Sequence, residues 1–245
     1  MLVDSFDSGS ARFAFTDRTG GVSAAPYDSL NLGGGVGDTP DAVAENQRRL
    51  ASAIGLPASR LVFPRQVHGV DVAVVDGPWP AGALPPQVDA IVTTSAELGL
   101  VVVVADCFPV LLADDDSGMV AAAHVGRRGL AAGLVPRVVS AMADLGGSPE
   151  RIDAVVGPGI CGACYEVPPD LHAEVSAIVP EASSRTRVDT SALDIRAGIH
   201  AQLRRAGVHR PTRNAERCTF EDAALFSHRR HRPTGRLAGV AWRPG

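Results

Sequence analysis

Leu100-Val101-Val102-Val103-Val104-Ala105-Asp106-Cys107-Phe108-Pro109-Val110-Leu111-Leu112-Ala113 is the stretch that decides the fold. Residues 100–104 are a short, continuous, β-branched run, the mark of a strand covered on both faces. A second apolar run resumes after Pro109. Asp114-Asp115-Asp116-Ser117-Gly118 then supplies a hairpin-like turn into a third run, Met119-Val120-Ala121-Ala122-Ala123. The three adjacent aspartates lack the alternation and downstream glutamate of a calcium-binding EF-hand loop, so they read as a solvated turn. Buried strands packed this closely need further layers on either side.

Working outward, residues 12–16 read as a strand, and a turn-rich stretch follows over 18–38 with Gly20-Gly21 and Gly33-Gly34-Gly35. Its length exceeds that of an ordinary connection, which favours a binding loop. Thr39 is placed to cap a helix that has Pro40 in its first turn and runs to about residue 54. Val43, Leu50 and Ile54 share one face, and Gly55 ends it. Strands are expected at 62–63, 70–75, 90–94, 152–156, near 211–216 and at 237–242. Helices are expected at 130–145, 169–178 and 194–206. With no repeat and no linker, residues 1–245 read as a single layered domain of the α+β (mixed α/β) class, with mixed β-sheets flanked by helices.

Aromatic residues make up only 4% of the 245, so Val, Ala and Leu must build the core. The net charge of -4 gives no electrostatic reason to bind nucleic acid or an anionic membrane, which leaves a small molecule as the expected partner. All 23 basic residues are arginine. That excludes a lysine Schiff base, a P-loop lysine and a lysine general base, so any phosphate must be held by arginine, backbone amides or metal. No signal peptide or membrane span is visible and cysteines are few, so a cytoplasmic protein is expected. Cys161-Gly162-Ala163-Cys164 has the spacing of half a zinc site or of a redox pair, with no second Cys-x-x-Cys to complete a four-cysteine site.

His68, Cys107 and His124 carry the chemistry. Cys107 follows the 100–105 run and His124 follows the 119–123 run, so both sit where strands give way to loops. Two imidazoles and a thiolate suit zinc. Three protein ligands leave a fourth tetrahedral position for water or substrate, which points to an enzyme.

Phe15-Thr16-Asp17-Arg18-Thr19-Gly20-Gly21-Val22-Ser23, Ser29-Leu30-Asn31-Leu32-Gly33, Gln66-Val67-His68-Gly69, Ala105-Asp106-Cys107-Phe108-Pro109-Val110 and His124 with its glycines resemble the laccase-domain family, also called the polyphenol-oxidase, YfiH-like or peptidoglycan-editing-factor family. Cys218-Thr219, Phe226-Ser227, Arg229-Arg230 and Thr234-Gly235-Arg236 extend the likeness to the C-terminus. The resemblance implies zinc on His68, His124 and Cys107. It also implies purine nucleoside phosphorylase activity on adenosine, inosine and S-methyl-5'-thioadenosine, with adenosine deamination at the same site. Arg127 departs from the family's usual tryptophan, and His228 from a customary tyrosine.

Multicopper oxidation requires about ten histidines, many as His-x-His pairs. This chain has seven and no such pair. Copper-dependent phenol oxidation therefore ranks below zinc chemistry, with Cu2+ as an adventitious alternative ion. For deamination Asp89 or Asp106 is the expected proton shuttle. For phosphorolysis Arg49 and Arg128 are expected to hold phosphate, and Asn31 the sugar or base. A rival scheme makes Cys107 a nucleophile with His124 as its base, a hydrolase or amidase editing a peptidoglycan precursor.

Overall fold

Two β-sheets stack face to face, and helices close both outer surfaces. The computed structural model describes residues 1–80 and 82–245. In chain order the strands are β1 (Leu2–Ser8), β2 (Ala11–Thr16), β3 (Leu61–Val62), β4 (Val72–Val74), β5 (Ala90–Thr93), β6 (Gly99–Val104), β7 (Phe108–Asp114), β8 (Met119–Val125), β9 (Asp153–Val156), β10 (Ser183–Arg185), β11 (Ser191–Leu193), β12 (Arg213–Asn214) and β13 (Leu237–Trp242). The helices are α1 (Pro40–Ala53), α2 (Arg127–Ala131), α3 (Leu134–Asp144), α4 (Pro169–Ile178) and α5 (Ile195–Arg205).

One sheet has the order β1-β2-β13-β6-β3, the other β12-β9-β7-β8-β5-β4, and β10 with β11 forms a small hairpin. Both larger sheets are mixed, since β3/β6, β4/β5 and β9/β12 pair parallel and the remaining neighbours antiparallel. The expected mixed-sheet, helix-flanked class is what the chain adopts.

Strand alternation explains the layers. Leu100 and Val102 of β6 meet Leu111 and Ala113 of β7 and Val120 and Ala122 of β8 in the core between the sheets. Val101 and Val103 turn the other way, onto the α1 side with Leu50 and Ile54. Val110 and Leu112 pack with Leu134, Val138 and Ile199 from α3 and α5. Each strand is thus apolar on both faces, as the unbroken run 100–104 required. Fully burying one such Leu or Val contributes about 1.5–3 kcal/mol.

Several details differ from expectation. The helix expected at 130–145 is two helices, because Gly133 adopts φ 83, a left-handed conformation that ends α2 and restarts the chain as α3. Thr39 is the N-cap of α1 without a side-chain capping bond; instead Asp38 Oδ1 accepts the Thr39 amide at 2.8 Å. The three aspartates also part company. Asp114 is wholly buried and accepts from Arg151 (Nε 3.1 Å, Nη2 2.9 Å) and the Ser148 amide (2.9 Å).

Burial tends to raise the Asp114 pKa, but Arg151 and the Ser148 amide more than offset it and hold it below 3.8. A depressed carboxylate adds stability above its unfolded value and loses it as pH falls through the folded one. Asp114→Asn is accordingly expected to lower the thermal midpoint by several degrees at pH 7, with the difference from wild type fading below about pH 4. Thermal melts of both proteins across pH check this.

Candidate metal centre and active-site cleft

β6, β7 and β8 deliver the centre. β6 ends at Val104, and the chain turns through Asp106, at φ 85, into Cys107 immediately before β7. β7 and β8 pair with Pro109 opposite His124, which brings the start of one strand beside the end of the other. His124 shares the parity of Val120 and Ala122, so its ring faces the layer between the sheets. His68 arrives on the loop between β3 and β4 at φ 61, a conformation disfavoured for a residue with a side chain.

Asp89, just before β5, holds that strained loop. Its Oδ1 accepts the His68 amide (2.9 Å) and His124 Nδ1–H (2.8 Å), and its Oδ2 accepts the amides of Val67 (3.1 Å) and Gly69 (2.7 Å). Its backbone carbonyl accepts the His124 amide at 2.7 Å. Fixing the proton on His124 Nδ1 leaves Nε2 as the ligand atom, the arrangement that orients metal-binding histidines.

The donor atoms of His68, Cys107 and His124 lie within 4.8 Å of one another, with Cys107 Sγ 3.8 Å from His68 Nε2. A tetrahedron with ordinary Zn–N and Zn–S bonds has an N···S edge of about 3.6 Å, so this donor set fits a single zinc ion. The sequence-expected ligands therefore converge. Gly126 makes room for them, since a Cβ there would lie 2.8 Å from Cys107 Sγ and 3.2 Å from His68 Cδ2.

Electrostatics prepare the thiol. Burial raises the Cys107 pKa, but His124 and His68 outweigh it and bring it down to about 6. Burial opposes the charged form of His124, while Cys107 and Asp89 favour it and push it up to about 9. The thiolate is thus paired with a protonated His124, and a metal ion entering the site displaces the Nε2 proton and takes both as ligands.

The centre sits in a cleft of about 750 Å³ whose walls include Phe63, Val104 and Tyr165, the Gly33–Gly35 run, and the arginines Arg65, Arg229, Arg232 and Arg236. The long glycine-bearing loop thus reaches the cleft. Asp106 also lines it, with Oδ1 accepting from the Thr219 hydroxyl (2.6 Å) and Oδ2 from the Arg229 amide (2.6 Å).

Other expected residues lie elsewhere. Arg49 is tied to Glu45 (2.8 Å) and the Gly20 carbonyl (2.9 Å), and Arg128 is exposed on α2; neither lines the cleft. Asn31 is fully buried, bonded to Gly33, to Asp38 (2.9 Å) and to the Arg236 amide (2.9 Å), so it positions the glycine run and Arg236. Asp89 has both oxygens filled by four protons from the protein and none left for substrate. Sequence reasoning assigned no role to the cleft arginines, although Arg229, Arg232 and Arg236 are closely spaced among Pro and Gly. It also missed His228 on the same wall.

Comparison with known proteins gives the family of the fold. A family model described as multi-copper polyphenol oxidoreductase laccase matches residues 12–244. A purine nucleoside phosphorylase of Streptomyces coelicolor is 56% identical over 233 residues, 95% of either chain. One from Deinococcus radiodurans is 41% identical, covering 94% of this chain and 88% of its own. Among solved structures, YlmD from Geobacillus stearothermophilus superposes with a TM-score of 0.89 at 33% identity, over 96% of this chain and 93% of its own. Bacillus licheniformis YfiH gives 0.87 at 27%, over 95% and 92%. Matched from its second strand almost to its last residue, the chain belongs to the multi-copper polyphenol oxidoreductase laccase family, in its YfiH-like form.

Proposed function

We propose that this cleft performs phosphorolysis of purine nucleosides, with zinc held by His68, Cys107 and His124, and that adenosine, inosine and S-methyl-5'-thioadenosine are its substrates, in the cytoplasm. The carrying observation is one cleft in which a His-Cys-His cluster faces four arginines. Support comes also from relatives named purine nucleoside phosphorylase at up to 56% identity. Zinc bound there supplies Lewis-acid polarisation of an oxygen. The His68–Cys107–His124 donor set serves one ion, too few histidines for a multicopper cluster in this cleft.

The chain's own groups do the rest. Phosphate is an anion that must approach an anomeric carbon, and without lysine the arginines must hold it. Arg65 has no side-chain hydrogen bond among the described residues, and Arg232 uses only Nε, on the His228 carbonyl at 3.0 Å. Arg229 and Arg236 each commit only Nη1, to backbone carbonyls, so all four cleft guanidiniums keep donors for an anion, Arg65 and Arg232 the least restrained, and they replace Arg49 and Arg128 in that role. Phe63 and Tyr165 give the purine apolar surface, and Val104 with Leu32 suits a methylthio group. His228, whose pKa is pushed down by burial and by Arg232 and Arg236, remains neutral and takes over the proton acceptance expected of Asp89 and Asp106 when adenosine is deaminated.

Purified protein incubated with adenosine and phosphate tests the reading: adenine plus ribose 1-phosphate supports it, and inosine alone reduces the activity to deamination. Arg232→Ala is expected to raise KM for phosphate about tenfold to a hundredfold with kcat changed less, the loss of charge-assisted hydrogen bonds to an anion. An unchanged phosphate KM removes Arg232 from the anion site.

A second reading follows from the thiol brought down to about 6, poised beside two histidines. Cys107 would then attack an amide of a cell-wall precursor, with His124 moving the proton. Activity on such an amide that survives complete removal of metal by a chelator favours it over the first.

A further inference from the structure

Next in sequence to the cleft residue Tyr165 lies a second cluster that the proposed chemistry leaves unused. Cys161, Cys164, Cys218 and Glu221 bring one donor atom each to within 4.8 Å of one another. All three cysteines are free and half-buried, while Glu221 is exposed.

Backbone geometry gives this cluster the form of a cage. Residues 161–164 form a four-residue turn closed by the Cys164 amide on the Cys161 carbonyl (2.9 Å), and residues 218–221 form another closed by the Glu221 amide on the Cys218 carbonyl (3.2 Å). The two turns are joined by a parallel bridge between Gly159 and Cys218, and the Cys161 amide donates to Cys218 Sγ at 3.3 Å. Donors therefore come as Cys-x-x-Cys and Cys-x-x-Glu, one pair from each turn. Paired turns with this spacing are how proteins build closed tetrahedral zinc sites, and a carboxylate oxygen is an ordinary fourth ligand. The sequence showed only the first pair, since a glutamate occupies the position where a second Cys-x-x-Cys would have been recognised.

We propose that Cys161, Cys164, Cys218 and Glu221 form a second metal site, closed by four protein ligands, that takes a zinc-like divalent cation and clamps the wall of the cleft. Loading exchanges the thiol protons for the cation, with no change of oxidation state. Arg187 now occupies the open side, paired with Glu221 and 3.6 Å from Cys164 Sγ, and it swings out when the cation enters. The clamp acts on the first centre through two short links. Tyr165, a cleft residue, directly follows Cys164, and the Thr219 hydroxyl next to Cys218 donates to Asp106 at 2.6 Å beside Cys107. The first centre keeps a corner for chemistry; this one has none to spare and holds structure.

Metal counting on the full chain, stripped with chelator and reloaded with zinc alone, tests the proposal. Wild type is expected to hold two equivalents, His124→Ala one, and the double variant Cys161→Ser/Cys164→Ser one. Cadmium loaded into His124→Ala is expected to keep a strong near-ultraviolet thiolate band, which the added serine pair abolishes. Arg187→Ala should tighten the second site, and Glu221→Gln should weaken it about tenfold without unfolding the chain. A wild-type count of one that the serine pair leaves unchanged overturns the proposal, as does a disulfide among these cysteines in protein kept under reductant. If the serine pair fails to fold, the cadmium band in His124→Ala and its weakening by Glu221→Gln decide the question, and absence of the band overturns it. None of these counts depends on nucleoside turnover, so the clamp and the proposed activity fail separately.

Discussion

Exchanging Cys107 for serine is expected to abolish zinc binding at the three-donor centre and, under the proposed function, to lower nucleoside phosphorolysis by about a thousandfold. A serine hydroxyl is a hard, protonated oxygen that cannot replace a thiolate with a pKa of about 6 between two imidazoles. Losing the ion forfeits several kcal/mol of charge stabilisation at the reacting centre, and each 1.4 kcal/mol is a factor of about ten. Protein integrity is not at stake, because Cys107 sits half-buried at the lip of β7. Metal content and kcat measured on the same preparation check the result. His68→Ala separates the two readings of the thiol. It also removes the ion but leaves Cys107 beside His124, so phosphorolysis falls with it whereas an amidase using that thiol survives.

Asp89→Asn is expected to weaken zinc binding by about 10- to 100-fold and to destabilise the fold by about 2–4 kcal/mol. An amide in place of the carboxylate turns one acceptor into a donor. That donor must face either the amides of Val67 and Gly69 or the His68 amide and His124 Nδ1–H. In either orientation a buried polar group is left unpaired, the φ of 61 at His68 loses its restraint, and His124 is free to present the wrong nitrogen. Competition with a chromophoric chelator gives the affinity, and denaturant unfolding gives the stability. Unchanged zinc affinity would mean that the ligands hold their geometry without Asp89.

The strands that position the centre were readable because burial on both faces leaves its mark as unbroken β-branched runs. β6, β7 and β8 fall where residues 100–104, 110–113 and 119–123 put them. β1 was missed for the opposite reason: Leu2-Val3-Asp4-Ser5-Phe6-Asp7-Ser8 is an edge strand with polar residues along both sides, held by its register on β2. β10 and β11 are three residues each, too short for any period to show. At the site, the donor types announced themselves as His68, Cys107 and His124, but partner counts did not. Nothing in the sequence tells that four protons of the protein converge on Asp89, or that Asn31 is consumed by Gly33, Asp38 and Arg236. The arginines show the same limit. Twenty-three identical cations carry no label, and only the return of residues 229–236 to the mouth of the cleft selects three of them.

Gly126 makes the centre easy to recognise in divergent chains. Because any side chain there would press on the sulfur at 2.8 Å, the bare α-carbon and the convergent placement of the three donors go together. A relative of this fold bearing alanine or anything larger at that position must turn its thiol aside, so a single codon marks chains whose three donors no longer converge.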